Sequence, residues 1–392
     1  MRFEPVEGIQ PKVLKWARES ANLTLVDVAT KLKKSADIIE EWEKGGSAPT
    51  YPQLEKLAYE LYKRPLALFF LPAPPPEPKP QTEFRSLPAD DLITLDRDTI
   101  FLIRKARAFH VALHELFGDR SPVEAPIWKE IRLSAARPVA QQATAVRNAL
   151  SVNLDQQSSW RDADHALREW RRSIETRGVF VFKHAFKQRE ISGFCLVKDE
   201  LPLIMINNST TKTRQIFSLL HELAHVLFHR SGISRFDDTR IEALPNVDRN
   251  IERFCNEIAA EILVPAEDFR ICATRRGIDP GNATDDDFSD FARRYHVSRE
   301  VILRRFLDEG SITRPFYLKK SAEWVAQIGD KGGSGGNYYA TQGAYLSEAF
   351  LRAVLGRYAR RQLTKFEAAD LIGIAPKNLS KLQDQVLQGA SG

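Results

Sequence analysis

The chain has 392 residues, with 57 Lys and Arg against 52 Asp and Glu, so its net charge is +5 at pH 7; at roughly 100–200 residues per domain, two to four domains are expected. An apolar share of 43 % excludes a disordered chain, and three cysteines without a C-x-x-C pair exclude a disulfide framework and read as reduced thiols. No apolar run reaches the ~20 residues of a membrane span, and the opening Met1–Pro5 starts no apolar leader, so a cytoplasmic protein without membrane contacts is expected.

Residues 1–71 read as a small helical domain. Leu25–Leu32 forms the first helix of a pair and Ser35–Gly45 the second, with Ser35 as N-cap. Together with Ala48-Pro49-Thr50 and the Leu54, Leu57, Ala58 spacing, this outline resembles the Xre/Cro-type helix-turn-helix domain, which implies operator DNA as a partner. The charge here is nearly even, 11 Lys and Arg against 10 Asp and Glu. Asp37, Glu40 and Glu41 on the second helix repel phosphate, so DNA binding rests on Lys31, Lys33 and Lys34 as candidate phosphate contacts.

Pro72–Pro80 is rich in proline and should extend as polyproline II, which makes residues 72–99 an expected linker. Residues 100–174 read as helix, with Leu102, Ile103, Ala106, Phe109, His110 and Leu113 at helical spacing. His114-Glu115 lacks a second histidine after it and reads as ordinary surface and core. The period then changes. Gly178–Phe182, Ile191–Val197 and Leu203–Ile206 are expected strands, the last two joined by a polar turn at Lys198-Asp199-Glu200. Two long helical patterns follow, Thr213–His229 and Val247–Leu263, the second stopped before Pro265.

The chemistry lies in His221-Glu222-Leu223-Ala224-His225. One helical turn separates the two histidines, so both imidazoles can reach one tetrahedral Zn2+, while Glu222 is rotated toward a water beside the metal. Glu222 would take the proton of that water and pass it to a leaving amine. A metzincin would need Gly at 228 and His at 231, where Phe228 and Ser231 stand. His229 lies two turns from His221 and cannot close around the same ion, so it reads as second to the ligands or structural. The third ligand is sought on the next helix among Glu252, Glu257 and Glu261; Glu252, Asn256 and Ala259 share a face, and the small Ala259-Ala260 pair points to close helix packing, which favours Glu252.

Pro202–Asn207, Phe217–His225 and Glu252–Pro265 resemble the ImmA/IrrE family of metallo-endopeptidases. The resemblance covers about 175–310. It implies a gluzincin-like zincin core, Glu252 as third ligand, and a protein partner: a helix-turn-helix repressor that is cleaved or controlled, or in some members a toxin. Cys255 stands where alanine is common. In such folds an edge strand beside the metal takes substrate by strand addition, a role expected here for Ile191–Val197.

Residues 175–310 are therefore expected as the peptidase core with a helical appendage around Phe288–Phe306. Residues 311–336 are expected as a linker, glycine-rich at its end, and 337–392 as a tethered helical unit. That last unit carries 7 basic against 4 acidic residues and hints at a turn-bounded helix pair around Ala368–Pro376. The fold class expected is α+β: mostly helical, with a small sheet in the zincin-like core and helical domains on either side. Two functions compete: a zinc endopeptidase cutting a repressor or another protein partner, and a DNA-binding or antitoxin-like regulator whose core holds a partner without proteolysis.

Overall fold

The computed structural model describes residues 4–77, 95–188, 190–235, 244, 246–327 and 345–389. Its elements are mostly helices with one small sheet, an α+β architecture. The chain divides into two units, Met1–Ala108 with Phe186–Gln188, and Phe109–Ala185 with Arg189–Gly392. Most of the expected proline-rich linker (78–94) and the glycine-rich stretch (328–344) lie outside the described residues.

The first unit opens with α1 Pro11–Ser20, α2 Leu25–Leu32, α3 Ala36–Lys44 and α4 Tyr51–Glu55, the last prolonged by π-helical turns to Tyr62. A reciprocal capping box starts α2: the Thr24 N–H donates to Asp27 at 2.8 Å and the Asp27 N–H donates back to Thr24 Oγ1 at 3.1 Å. Lys33 in left-handed conformation (φ 55°) ends it. Ser35 occupies the N-cap of α3, but its side chain makes no capping bond. Arg18 ties α1 to α3 with two bonds to Glu43 at 2.7 and 2.9 Å, above a core that includes Val13, Ala17, Val28, Ile39 and Trp42. The paired bonds add direction to what is otherwise unspecific apolar burial. Helix α5, Arg97–Phe117, contains the division between the two units.

In the second unit α6 Ile127–Glu130, α7 Val139–Ala149, α8 Leu154–Ser159 and α9 Ala163–Glu175 precede the sheet. The strands are β1 Phe180–His184, β2 Ile191–Leu196, β3 Leu203–Asn207 and β4 Gly232–Arg235, in the order β1-β3-β2-β4. β3 runs parallel to β1 and antiparallel to β2, and β2 runs antiparallel to β4. β2 and β3 are buried throughout, as expected of a sheet covered on both faces. Val181 and Ile204 join the core shared with α10 Lys212–Leu227 and α11 Asn246–Leu263, whereas Phe182 stacks on Phe109 of α5 with centroids 4.2 Å apart.

Ile191–Val197 is not an edge strand. β2 lies inside the sheet, and the edge beside it is β4, a strand too short and too glycine- and serine-rich to show in the sequence. A second correction concerns 311–336. After α12 Ala266–Arg276, α13 Asp285–Tyr295 and α14 Arg299–Asp308, residues Arg314–Gln327 form helix α15 rather than a linker. Its Trp324 is buried against Phe288 at 5.4 Å and under the Arg299 guanidinium at 4.7 Å, and such an aromatic anchor holds a helix in place.

The chain ends in α16 Glu348–Ala359, α17 Lys365–Ile372 and α18 Leu379–Gly389. This unit does not hang free. Phe350 is fully buried, with Phe109 at 5.8 Å and Phe182 at 5.7 Å. The buried Glu175 carboxylate accepts the N–H groups of Glu348 (3.0 Å) and Ala349 (3.3 Å) at the start of α16. Arg171, 3.4 Å from Glu175, donates to the Val181 carbonyl of β1 at 2.8 Å. Phe350→Ala should cost the second unit about 3–5 kcal/mol in urea unfolding, the range for a fully buried Phe; wild-type stability would mean that α16 is not packed as described.

Candidate metal centre

The His221–His225 segment lies in the second half of α10, whose residues from Ser218 to Leu227 are all buried. An apolar helix that buries two imidazoles and a carboxylate needs polar partners for them, because an unpaired buried polar group costs about 1–3 kcal/mol. Helix α11 packs along α10 and supplies one partner, Glu252. Glu252 Oε2 is 3.3 Å from His221 Nε2, Glu252 Oε1 is 3.2 Å from His225 Nε2, and the two Nε2 atoms are 3.1 Å apart. Four ligands at the usual zinc distances around one tetrahedral ion stand about 3.3–3.4 Å from one another. The three side chains are spaced close to that value, with each oxygen of Glu252 facing one of the histidines, so one atom from each could hold a single ion. The structure brings His221, His225 and Glu252 together; Glu257 and Glu261 it does not, and the buried Glu261 pairs with Arg305 at 2.7 Å instead.

The neighbouring groups prepare these donors. Asn256 Oδ1 accepts from the Nδ1–H of His221 at 2.8 Å, which leaves the Nε2 lone pair directed at the shared point. Burial works against a charge on Glu252, but the flanking His225 and His221 hold its carboxyl well below the usual range, so it stays ionised. Glu222 is fully buried, and burial pushes it up to about 7 against the opposing pull of His221. Both of its oxygens, the Ser234 hydroxyl and His225 Nδ1 are buried without a hydrogen-bond partner among the described residues. That cluster of unsatisfied groups beside the donor triangle suits a site built to hold an ion and a small polar ligand.

Two glycines let the sheet come this close. A Cβ on Gly193 of β2 would lie 2.8 Å from the Met205 carbonyl and 3.5 Å from Glu222, and one on Gly232 of β4 would lie 3.1 Å from His225 Nδ1. His229, with φ 55°, takes no part in the triangle; its Nε2 pairs with the Trp128 carbonyl at 3.1 Å. Cys255 is a small buried residue, as expected. In the N-terminal domain Lys31, Lys33 and Lys34 are exposed at the end of α2 and in the turn after it.

Sequence reasoning missed two features. Ser234 lies on the unforeseen β4. His114, read as ordinary surface and core, is half-buried and stands in a group with His110 and Asp199, its ring nitrogens facing Asp119 at 2.9 Å and Asp199 at 3.1 Å. The signal was present, since His110 stands four residues before His114.

The donor set fits a metallopeptidase-type domain, and comparison with protein families supports that class. Residues 174–307 match the peptidase M78 family, described as the IrrE N-terminal-like domain, and residues 14–61 match a helix-turn-helix family. The chain thus carries an IrrE N-terminal-like domain behind an Xre/Cro-type helix-turn-helix domain, the architecture that its motifs resemble. No curated protein matches it, and among the described residues no helix is long and apolar enough to cross a membrane.

Asn256→Ala should weaken binding of a divalent ion about 10–100-fold, as for other groups that orient a ligating histidine. Competition against a chromogenic chelator measures this, and an unchanged affinity would remove Asn256 from the site.

Proposed function

We propose that the chain is a zinc-dependent endopeptidase of gluzincin type, acting in the cytoplasm on a protein partner such as a helix-turn-helix repressor or a toxin within a regulatory or stress-response circuit. The observation that carries this reading is the triangle of His221, His225 and Glu252 with the partnerless, buried Glu222 carboxylate beside it. Two imidazoles and a carboxylate at tetrahedral spacing are a donor set suited to zinc, with one position left for substrate or water. A zinc ion held there supplies Lewis acidity at a scissile carbonyl and acidifies water.

The chain's own groups do the rest. Glu222 takes the proton of the attacking water and passes it to the leaving amine nitrogen. Asn256 keeps the His221 ring in the ligating tautomer. Strand β4, last in the sheet and bearing Gly232 against His225, offers backbone N–H and C=O groups to an extended substrate segment.

The helix-turn-helix match supports a second reading, a DNA-binding or antitoxin-like regulator whose core holds a partner without cutting it. Glu222→Gln separates the two. It should retain metal and partner while cleavage of a co-purifying partner falls to background; equal cleavage by the variant would defeat the proposed mechanism. Glu252→Ala should lose the metal, and full zinc occupancy by elemental analysis would place the third ligand elsewhere.

A further inference from the structure

The C-terminal unit repeats the helix-turn-helix of the N-terminal domain position for position. Helix α17 matches α2 in length, and the residues correspond at one constant sequence offset. Thr364 caps α17 as Thr24 caps α2, with Glu367 closing the capping box where Asp27 closes the first. Ala368-Ala369 is the buried pair in the places of Val28-Ala29. Gly373 (φ 76°) makes the left-handed turn that Lys33 (φ 55°) makes. The next N–H returns to the helix in both, Ile374 to Ala369 and Lys34 to Ala29, each at 2.9 Å. On the following helix the buried Leu379 and Leu382 take the places of Ile39 and Trp42. Even the large exposed apolar side chain recurs: Val26 is 63 % and Phe366 74 % exposed. The C-terminal helix differs in starting through a 3-10 turn, Pro376–Asn378.

The two copies part at the outward face of the second helix. Where the N-terminal copy carries Asp37, Glu40 and Glu41, the C-terminal copy carries Lys377, Ser380 and Lys381, all three exposed. Lys377 lies in the 3-10 turn and Ser380 and Lys381 in the first turn of α18, so the three cluster at the start of that helix. Arg360 and Arg361 lie exposed in the turn before the capping box, and Lys365 opens α17. The acidic groups of this copy are Glu348, Glu367, Asp370 and Asp384. Of these, Glu367 is bonded to Thr364, and Glu348 faces Arg352 at 3.1 Å. Duplex DNA presents one negative charge per ~1.7 Å of axis, so a reading surface bearing three acids is repelled where one bearing two lysines is attracted.

We infer that residues 345–389 form a second helix-turn-helix, that the surface made by the 3-10 turn and the start of α18, with Lys377, Ser380 and Lys381, binds duplex DNA, and that this copy rather than the N-terminal one supplies the chain's DNA affinity. The inference is independent of peptidase activity and is read equally well on Glu222→Gln.

The test is fluorescence anisotropy of the full chain on a labelled duplex of random sequence across a salt series. The parent should bind at low salt, with affinity falling as salt rises. Lys377→Glu with Lys381→Glu should weaken binding at least ~tenfold and lower the salt slope by about 2, one unit for each phosphate no longer neutralised. Lys377→Ala with Lys381→Ala, with its melting temperature shown to equal the parent's, should lower the slope by the same amount, so that misfolding is not the cause. Asp37→Ala with Glu41→Ala in the N-terminal copy should bind no more weakly than the parent. The inference is overturned if the duplex is not bound at low salt, if either lysine pair binds as the parent does, or if a single-stranded RNA of equal length binds as tightly through the same lysines.

Discussion

Four ionisable side chains, His221, Glu222, His225 and Glu252, are buried side by side, and the elements around them answer to that constraint. Buried charge is tolerated only where opposite charge or hydrogen bonds meet it. Helix α11 must therefore lie in one rotational setting on α10, the one that directs Glu252 between two imidazoles. Its far end is fixed accordingly. Arg147 of α7 donates to the Ile262 carbonyl at 2.5 Å, and Gln157 of α8 donates to the Leu263 carbonyl at 3.0 Å. These side chains satisfy the last carbonyls of a helix that Pro265 stops. On the other side, glycine at 193 and 232 lets two strands pass within contact distance of the same groups.

Much of this was legible in the chain. The change of period from 3.6 to short apolar runs marked β1, β2 and β3; the one-turn spacing of His221 and His225 marked a shared face of one helix, and the face of Asn256 and Ala259 favoured Glu252 on the next. Those features are local, and local pattern is what periodicity records. The misreadings have a common cause: they depend on contacts between distant residues. β4 has four residues and exists because β2 offers it a partner, so nothing in Gly232–Arg235 alone announces it. Helix α15 read as linker because its propensity is unremarkable; Trp324 between Phe288 and Arg299 is what holds it. Likewise the orphaned oxygens of Glu222 are a property of burial in three dimensions. The face of Asn256 was visible, but its bond to His221 was not.

The two helix-turn-helix copies show how little of a fold its surface dictates. Capping box, left-handed turn and buried pairs recur with different residues, Thr-Asp for Thr-Glu and Lys for Gly, because each position asks only for a hydrogen-bonding capacity, a backbone angle or a volume. The exposed positions of the second helix carry no such demand, and there the charge reverses.

The Glu175–Arg171 junction ties the C-terminal unit to the sheet. Helix α16 begins on a buried carboxylate whose arginine partner is bonded to β1, β1 is paired to β3, β3 to β2, and β2 passes over Glu222. The C-terminal unit is thus joined to the strand over Glu222 by an unbroken series of hydrogen bonds and packed side chains, so the order of α16 and the order of the sheet depend on the same buried ion pair.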